Sequence, residues 1–548
     1  MIRSISAFVV LILFSTFGYS NNLDVPVFKL TAPNLEAIKK SDLQRDRDGF
    51  LYRVGVAEKV TLSSDNSGVW STLANRNRKW ELIIDYKGAE SISFIFSQFK
   101  LSKNASFWVE DLNGKKVSVI FTDNDHLEDF QQNIAFCKGD YLKLNLVEEV
   151  YSNPSEIVLD RVFYNYRSTV KSSEKINESA SCQVNVNCSE GDNYQDEKKG
   201  VARVYVIEGN SGGFCSGSLV NNQAKNCKPL FLTALHCGES TSNSDMNLWQ
   251  FHFNYEAVNC SNPSTVGTLE NNYVTGCVRL ADAADGGGNT GSDFMLVQLG
   301  TLQNETSTIN KLKGANFQAY WNGWDANNSV SSNGTGIHHP SGDIKKISTY
   351  TTSVYSDSYG GNVSNTHWTL SWAATQNGHG VTEGGSSGSP LFKYNNGNSR
   401  IIGTLTGGAS YCSAPNDIDT YGKMSYHWAS NGSTTNKKVS TYLDPQSTGL
   451  KTLDGSSNPC SLASIEQIQI TNQFTVYPNP SNDVIYIKSN SADEVHITIY
   501  DVLGSEVKSC LYSDFNLIEI SLSDLEKGVY QLKIEQGNST VIRGISKF

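Results

Sequence analysis

Eight of the chain's 11 cysteines lie between Cys182 and Cys412, and what they can build depends on the compartment the chain reaches. The N-terminus answers that question. Arg3 precedes an apolar run from Ala7 to Phe17, and Gly18-Tyr19-Ser20 places small residues three and one before a cut after Ser20, the pattern of a secretory signal. The run is shorter than the roughly 20 residues of a spanning helix, and no other stretch approaches that length. An exported product without a transmembrane segment follows, and disulfides are permitted in it. The 55 acidic against 44 basic side chains, a net charge of −11, leave no bulk electrostatic case for a nucleic-acid partner. With 38% apolar residues before glycine is counted, the chain can bury a core, and 548 residues suggest about three or four domains.

Punctuation along the chain divides it. From Asn21 to about Val170 the sequence reads as an all-β segment: Trp80–Tyr86 is a short apolar-rich run, and Asn113-Gly114 sits between two alternating runs that span Phe107 to Phe121, a strong hairpin signal. Ser168–Ser181 is polar and reads as an exposed, cleavable linker. The cysteine-rich region that follows, residues 176–454, carries short β-branched and aromatic runs broken by Gly, Asn and Ser, which suggests a β-barrel or sandwich. Residues 455–472 form a second linker, and in 473–548 the runs at Val484, Val495 and Val529 read as strands of a small sandwich. The fold class is all-β, with no heptads or internal repeat.

Three patterns in the middle region carry chemistry together rather than singly. Phe231-Leu-Thr-Ala-Leu-His236-Cys237-Gly238 is an apolar strand ending in His; alone, such a His is more often structural. Gly291-Ser-Asp293-Phe opens a buried-looking strand with one carboxylate, which by itself is as readily a turn or cap. Glu383-Gly-Gly385-Ser386-Ser387-Gly388-Ser389-Pro390 is a Gly/Ser turn that reads either as a flexible loop or as a tight turn exposing a nucleophile beside free amides. In the order His236, Asp293, Ser387, spaced by 57 and 94 residues, they follow the chymotrypsin-type triad. A serine hydroxyl is a weak nucleophile at neutral pH and needs an adjacent base, which in turn needs a carboxylate to hold its tautomer. The main-chain N–H groups of Gly385 and Ser387 are the candidate oxyanion hole.

These stretches, with Ser181-Cys182-Gln-Val-Asn-Val-Asn-Cys188, Cys215-Ser-Gly-Ser-Leu, Ile337-His-His-Pro340 and Asp419-Thr-Tyr-Gly422, resemble the bacterial lysyl endopeptidases, a branch of the chymotrypsin-like serine peptidases. The resemblance covers residues 176–454. It implies a chymotrypsin-like double β-barrel, a nucleophile at Ser387, a general base at His236 oriented by Asp293, and disulfides Cys182–Cys412, Cys188–Cys260 and Cys215–Cys237. Cys227 and Cys277 are additional; their even number suggests a fourth bridge, with free or separately paired thiols as the alternative. Cys137, Cys460 and Cys510 lie in the flanks, so the odd thiol is expected outside the catalytic domain.

In trypsin-like enzymes the pocket carboxylate comes six residues before the serine, where this chain has Val381. The resemblance instead implies Asp419, after the serine, as the group that receives Lys; neighbouring Asp417 reads as a solvated loop charge. Thr406, Gly407 and Tyr359 are the further substrate-side positions it implies. Tyr359 stands where the family has a Trp beside the catalytic His, and Thr406 where it has a His. Ser386 replaces the Asp that pairs with the new N-terminus in trypsin-type zymogens, so residues 21–175 read as a propeptide that assists folding or masks the site. Lys175–Ile176 offers a bond the enzyme itself would cut, with Lys171 and outside peptidases as competitors.

No metal site or cofactor is expected. His338 and His339 are adjacent and so face opposite sides of a strand, and Gly286-Gly-Gly288 opens no helix that would cradle phosphate. In the last 75 or so residues, Tyr477-Pro478-Asn479-Pro480, Asp501-Val-Leu-Gly504 and Gly528-Val-Tyr-Gln-Leu resemble the type A sorting domain of the type IX secretion system. That implies export across the outer membrane, by the type IX machinery, to the surface or beyond. The expectation is a secreted, monomeric serine endopeptidase zymogen acting on extracellular proteins or peptides after Lys. Cleavage after both Lys and Arg is the nearest alternative, and a catalytically silent surface adhesin the rival from another class.

Overall fold

The structure is a computed structural model that describes residues 24–548 apart from 48–49, 74, 124, 126–130, 151–152, 168–177, 264–271, 284–290, 301–303, 361–362, 396, 430–436, 463–473, 490–493, 502–504, 514–516 and 537–538. The signal pattern, most of the first linker with Lys171 and Lys175–Ile176, and Gly286–Gly288 lie outside these residues. The chain divides into two units, Met1–Pro459 and Cys460–Phe548. Among the described residues no helix is long and apolar enough to cross a membrane.

The all-β expectation holds for the architecture, with one departure near the start. Leu35–Arg47 is a helix, not a strand. Its local chemistry explains this: Asn34 caps it by accepting from the Ala37 amide at 3.1 Å, Glu36 stands in the first turn, and helix-favouring Leu, Lys, Gln and Arg fill the rest. Its Asp42 is fully buried and receives Arg53 at 2.7 Å and the Tyr166 hydroxyl at 2.7 Å. The Asn113-Gly114 hairpin forms as expected, pairing Ser106 with Thr122 and Phe107 with Phe121, with Gly114 at φ +75° in the turn.

The N-terminal strands make their own core, in which Phe96, Phe99, Phe107 and Phe121 meet edge to face at centroid distances of 5.1 to 5.6 Å. They do not stop there. Tyr52–Ser63 pairs antiparallel with Ser211–Leu219, setting Val56 against Ser211 and Tyr52 against Phe214. The N-terminal strands Glu156–Asn165, Ser91–Lys100 and Gln132–Lys138 therefore continue the sheet that holds Val201–Glu208 and Gln250–Phe253. An edge strand of the middle region is thereby covered, which removes a row of open backbone groups. Phe136 lays its ring 4.4 Å from Tyr205 and 5.5 Å from Phe214. Arg161 reaches Asp245 at 2.8 Å, with both side chains about nine-tenths buried.

Two sheets make up the middle region. One includes the antiparallel ladder Leu230–Thr233, Met295–Leu299 and Cys277–Asp282. The other runs from Val184–Asn185 through Lys346–Tyr350, Gly334–His338, Pro390–Lys393, Arg400–Gly408, Ile418–Lys423 and His367–Ser371 to Tyr355–Asp357. In the C-terminal unit, a sheet of Phe474–Tyr477, Val484–Ser489 and Leu517–Ser521 and a sheet centred on Val495–Tyr500 and Gly528–Gln536 share an Ile-rich core, as a small sandwich requires. Asn479 of the Tyr-Pro-Asn-Pro stretch bridges Gly544 O at 2.7 Å and the Ser546 amide at 3.0 Å, tying the start of the unit to its last strand.

The structure contains disulfides Cys182–Cys412, Cys188–Cys260 and Cys215–Cys237. The additional cysteines correct the expectation of a fourth bridge between them. Cys227 is disulfide-bonded, as is Cys460, whereas Cys277 is a free thiol held in a strand with its sulfur 3.7 Å from Met246 O. Burial pushes that thiol far up and away from its reactive form. Among the described residues Cys137, Cys277 and Cys510 form no disulfide, so one unbridged cysteine lies inside the middle region.

Candidate active site

Register brings the base and its carboxylate together. Thr233 pairs with Met295, so His236, three residues past one, and Asp293, two before the other, emerge at the same end of adjacent antiparallel strands. Asp293 Oδ2 lies 2.6 Å from His236 Nδ1, and Asp293 Oδ1 accepts the His236 amide at 3.0 Å. Asp293 is fully buried and sits at φ +53°, a left-handed conformation that Asp tolerates better than most residues and that persists where surrounding contacts hold it. An ionised Asp293 can only accept, so Nδ1 carries the proton and Nε2 presents a lone pair. That Nε2 is buried and has no hydrogen-bond partner among the described residues.

The Ser387 turn is fastened to Ser211–Leu219, the strand that pairs with Leu230–Thr233 before His236. Ser216 donates its amide to Ser387 O at 2.8 Å and its hydroxyl to Gly385 O at 2.9 Å. The Cys237 sulfur lies 3.8 Å from Ser387 O, and Cys215–Cys237 ties the two supporting segments. Gly388, at φ +79°, lies so close to Thr233 and Ala234 that an added Cβ would stand 2.2 Å from the Thr233 hydroxyl. Gly385 adopts φ +90°. Within the turn the Ser386 amide donates to Glu383 O and the Gly388 amide to Leu405 O. The Gly385 and Ser387 amides donate to no carbonyl or side chain among the described residues, as groups awaiting a developing oxyanion would.

Asp419 lies on the strand Ile418–Lys423, between Gly408 on one neighbour and Leu370 on the other. It is fully buried. Its Oδ2 accepts from Trp372 Nε1 at 2.6 Å, Thr382 Oγ1 at 2.7 Å and Ser410 Oγ at 2.7 Å. Burial raises its pKa above the ordinary carboxylate value, and the hydrogen bonds from Ser410, Trp372 and Thr382 oppose that rise. Asp417 is exposed on the preceding loop. Val381 is buried, its carbonyl taken by Gln183 at 2.9 Å.

Thr406 turns its hydroxyl inward to His367 Nε2 at 3.1 Å. Tyr359, expected beside the catalytic histidine, lies with its ring 5.8 Å from that of His367. Its hydroxyl passes so close to Gly407 that a Cβ there would stand 2.9 Å from it. Burial depresses the His367 pKa to about 4, with Asp293 pulling the other way. Trp372, Ser410 and His367 carry no motif signal; only their positions opposite Asp419 and Thr406 reveal them. His338 and His339 diverge: His338 joins Ser386 and Ser348, and His339 joins Asp343 O.

Residues 176–422 match the family described as lysyl endopeptidase, C-terminal domain, and residues 475–547 match the secretion system C-terminal sorting domain. Both resemblances read from the motifs are borne out, and the second bears out export to the cell surface or beyond. A lysyl endopeptidase of Pseudomonas aeruginosa is 28% identical over 291 residues, which cover 51% of this chain and 57% of that protein. The chain thus spans little more than half the length of that relative. Two solved structures are also similar. A thermostable serine protease, AL20, shares 14% identity over 42% of this chain and 93% of that one, with a TM-score of 0.29. Protease Anisep from Arthrobacter nicotinovorans shares 16% over 42% and 92%, with a TM-score of 0.28.

Proposed function

We propose that the chain is a secreted serine endopeptidase that hydrolyses extracellular proteins or peptides after Lys. The observation that carries this is the buried His236–Asp293 pair at 2.6 Å, with His236 Nε2 left without a partner next to the Ser387 turn. In this reading Nε2 takes the Ser387 proton as Oγ attacks the scissile carbonyl. The amides of Gly385 and Ser387 stabilise the oxyanion, and the imidazolium returns its proton to the leaving amine. Water then repeats the sequence on the acyl-enzyme. Asp419 is the partner for the substrate ammonium: a buried carboxylate held by neutral donors of Trp372, Thr382 and Ser410, with no cation beside it among the described residues, gains most when a positive charge arrives.

A fluorophosphonate probe tests the reaction class. Processed wild-type protein should be labelled at Ser387 and Ser387→Ala should not; folded, processed wild type without label would make the barrel a binding scaffold. Paired Lys and Arg peptides then separate strict Lys cleavage from cleavage after both.

Residues 21–175 act in this reading as a propeptide, and the shared sheet supports that role. Tyr52–Ser63 pairs with residues 211–214 of the strand whose Ser216 holds Gly385 and Ser387. The Tyr52 ring lies against Gly384, so close that a Cβ there would meet it at 2.3 Å. After cleavage in the linker the propeptide should stay bound through the Arg161–Asp245 pair. Asp245→Ala leaves Arg161, among the described residues, with Asp160 and the Gly209 carbonyl. It should weaken the cleaved complex by about 2 kcal/mol, roughly 30-fold, seen as two species separating on gel filtration where wild type co-elutes. Co-elution unchanged at low concentration would remove the pair from that role. The sorting match supports the type IX machinery as the export partner.

A further inference from the structure

An oxyanion hole works only if its amides hold their aim, because donors must stand about 2.7–3.1 Å from the oxyanion. Between the two candidate donors sits Ser386, whose side chain is fully buried beneath the turn. Its Oγ accepts the Glu383 amide at 3.2 Å and lies 2.8 Å from His338 Nδ1. On the other side of the ring, His338 Nε2 lies 2.9 Å from Ser348 Oγ, which donates to Val381 O at 3.4 Å. The relay Ser386, His338, Ser348, Val381 therefore leaves the loop at one end and returns to it five residues earlier.

Burial, helped by the charge of its cross-strand neighbour Lys346, depresses the His338 pKa to about 3. The other charged or titratable groups nearby are His339, Asp343 and Glu383, the last two acting on Lys346. The ring is neutral at working pH and has one donor and one acceptor. Nε2–H donates to Ser348, and Nδ1 receives the Ser386 hydroxyl proton. Each polar atom has a partner of the right kind, which a buried network needs to be rigid.

We propose that His338 is the positioning residue of the oxyanion turn, acting through Ser386 to hold the Gly385 and Ser387 amides in place. This role rests on the serine endopeptidase reading. A neutral relay here serves where an acidic residue before the nucleophile would need a cationic partner.

The test uses the full chain and three variants, His338→Ala, His338→Asn and Ser386→Ala, with kcat and KM on a Lys ester and a Lys amide. Affinity for a peptide lysinal, whose hemiacetal oxygen occupies the oxyanion site, is measured alongside. His338→Ala and Ser386→Ala should each lower kcat about 10- to 100-fold with KM little changed. Lysinal affinity should fall by the same factor. His338→Asn, which can still accept from Ser386, should recover part of the loss, and the double variant His338→Ala/Ser386→Ala should be no worse than His338→Ala alone. A packing role predicts lower stability with kcat per folded molecule unchanged; that result, or additive effects, overturns the proposal. If His338→Ala does not fold, Ser386→Ala decides, since it removes one hydroxyl. Inactive wild type overturns the peptidase reading and this role together, whereas active wild type with unchanged variants overturns this role alone.

Discussion

Asp293→Asn is expected to lower kcat roughly 10⁴-fold while KM for a Lys ester stays within a few-fold. The loss follows from two hydrogen bonds made by one side chain. Asp293 Oδ1 accepts the His236 amide and Oδ2 faces His236 Nδ1. In an Asn at this site the carbonyl oxygen must stay on the backbone amide, because an NH2 cannot accept from N–H. The NH2 is then forced against Nδ1. It can only donate, so Nδ1 becomes the acceptor and the ring proton moves to Nε2. The base then points a proton, not a lone pair, at Ser387. The protein should fold as before, because volume and both hydrogen bonds are kept. Retention of more than about a tenth of wild-type kcat would show that His236 does not rely on Asp293 for its tautomer.

That constellation was legible in the sequence because each member sits in a short string whose local chemistry is self-contained: a strand running into His236, a turn into Asp293, a glycine-rich corner around Ser387. The Asn113-Gly114 hairpin and the C-terminal strands were legible for the same reason. Pairings between distant segments were not. Tyr52–Ser63 has the composition of any half-buried strand, and nothing in it names residues 211–214 as its neighbour, because register is set by packing on both faces. The bonds of Cys227 and Cys460 and the solitude of Cys277 are likewise three-dimensional facts that cysteine counting cannot supply. The helix Leu35–Arg47 was the avoidable miss, since Asn34 and Glu36 announce its start. The bond between His338 and Ser386 is equally invisible in sequence, because it depends on strand Gly334–His338 passing under the turn.

If Asp419 receives the substrate ammonium as proposed, Asp419→Asn should reverse the preference for Lys over a neutral isostere such as norleucine, lowering kcat/KM for Lys by about 4 kcal/mol, near 10³-fold, and changing norleucine little. Size is kept and only the charge is removed, so the loss measures the ammonium left without its partner in a buried pocket. The pH dependence has a definite sign. Burial raises the Asp419 pKa above the ordinary carboxylate value, so in the free enzyme the carboxyl takes up a proton at a pH where an exposed Asp would already be ionised. Lys needs the ionised form. The ratio of kcat/KM for Lys to that for norleucine should therefore rise with pH through the elevated pKa and level off above it. Steps common to both substrates cancel from the ratio. The same shift makes the buried charge a liability for the fold. A raised carboxyl pKa contributes stability that is fully present below the unfolded value and is lost as pH rises through the folded one, so neutral pH is where the buried carboxylate costs most. Removing the charge should leave thermal stability at neutral pH unchanged or higher while abolishing Lys selectivity. A selectivity ratio that stays flat with pH in wild type, or survives in Asp419→Asn, would move the specificity charge elsewhere in the pocket.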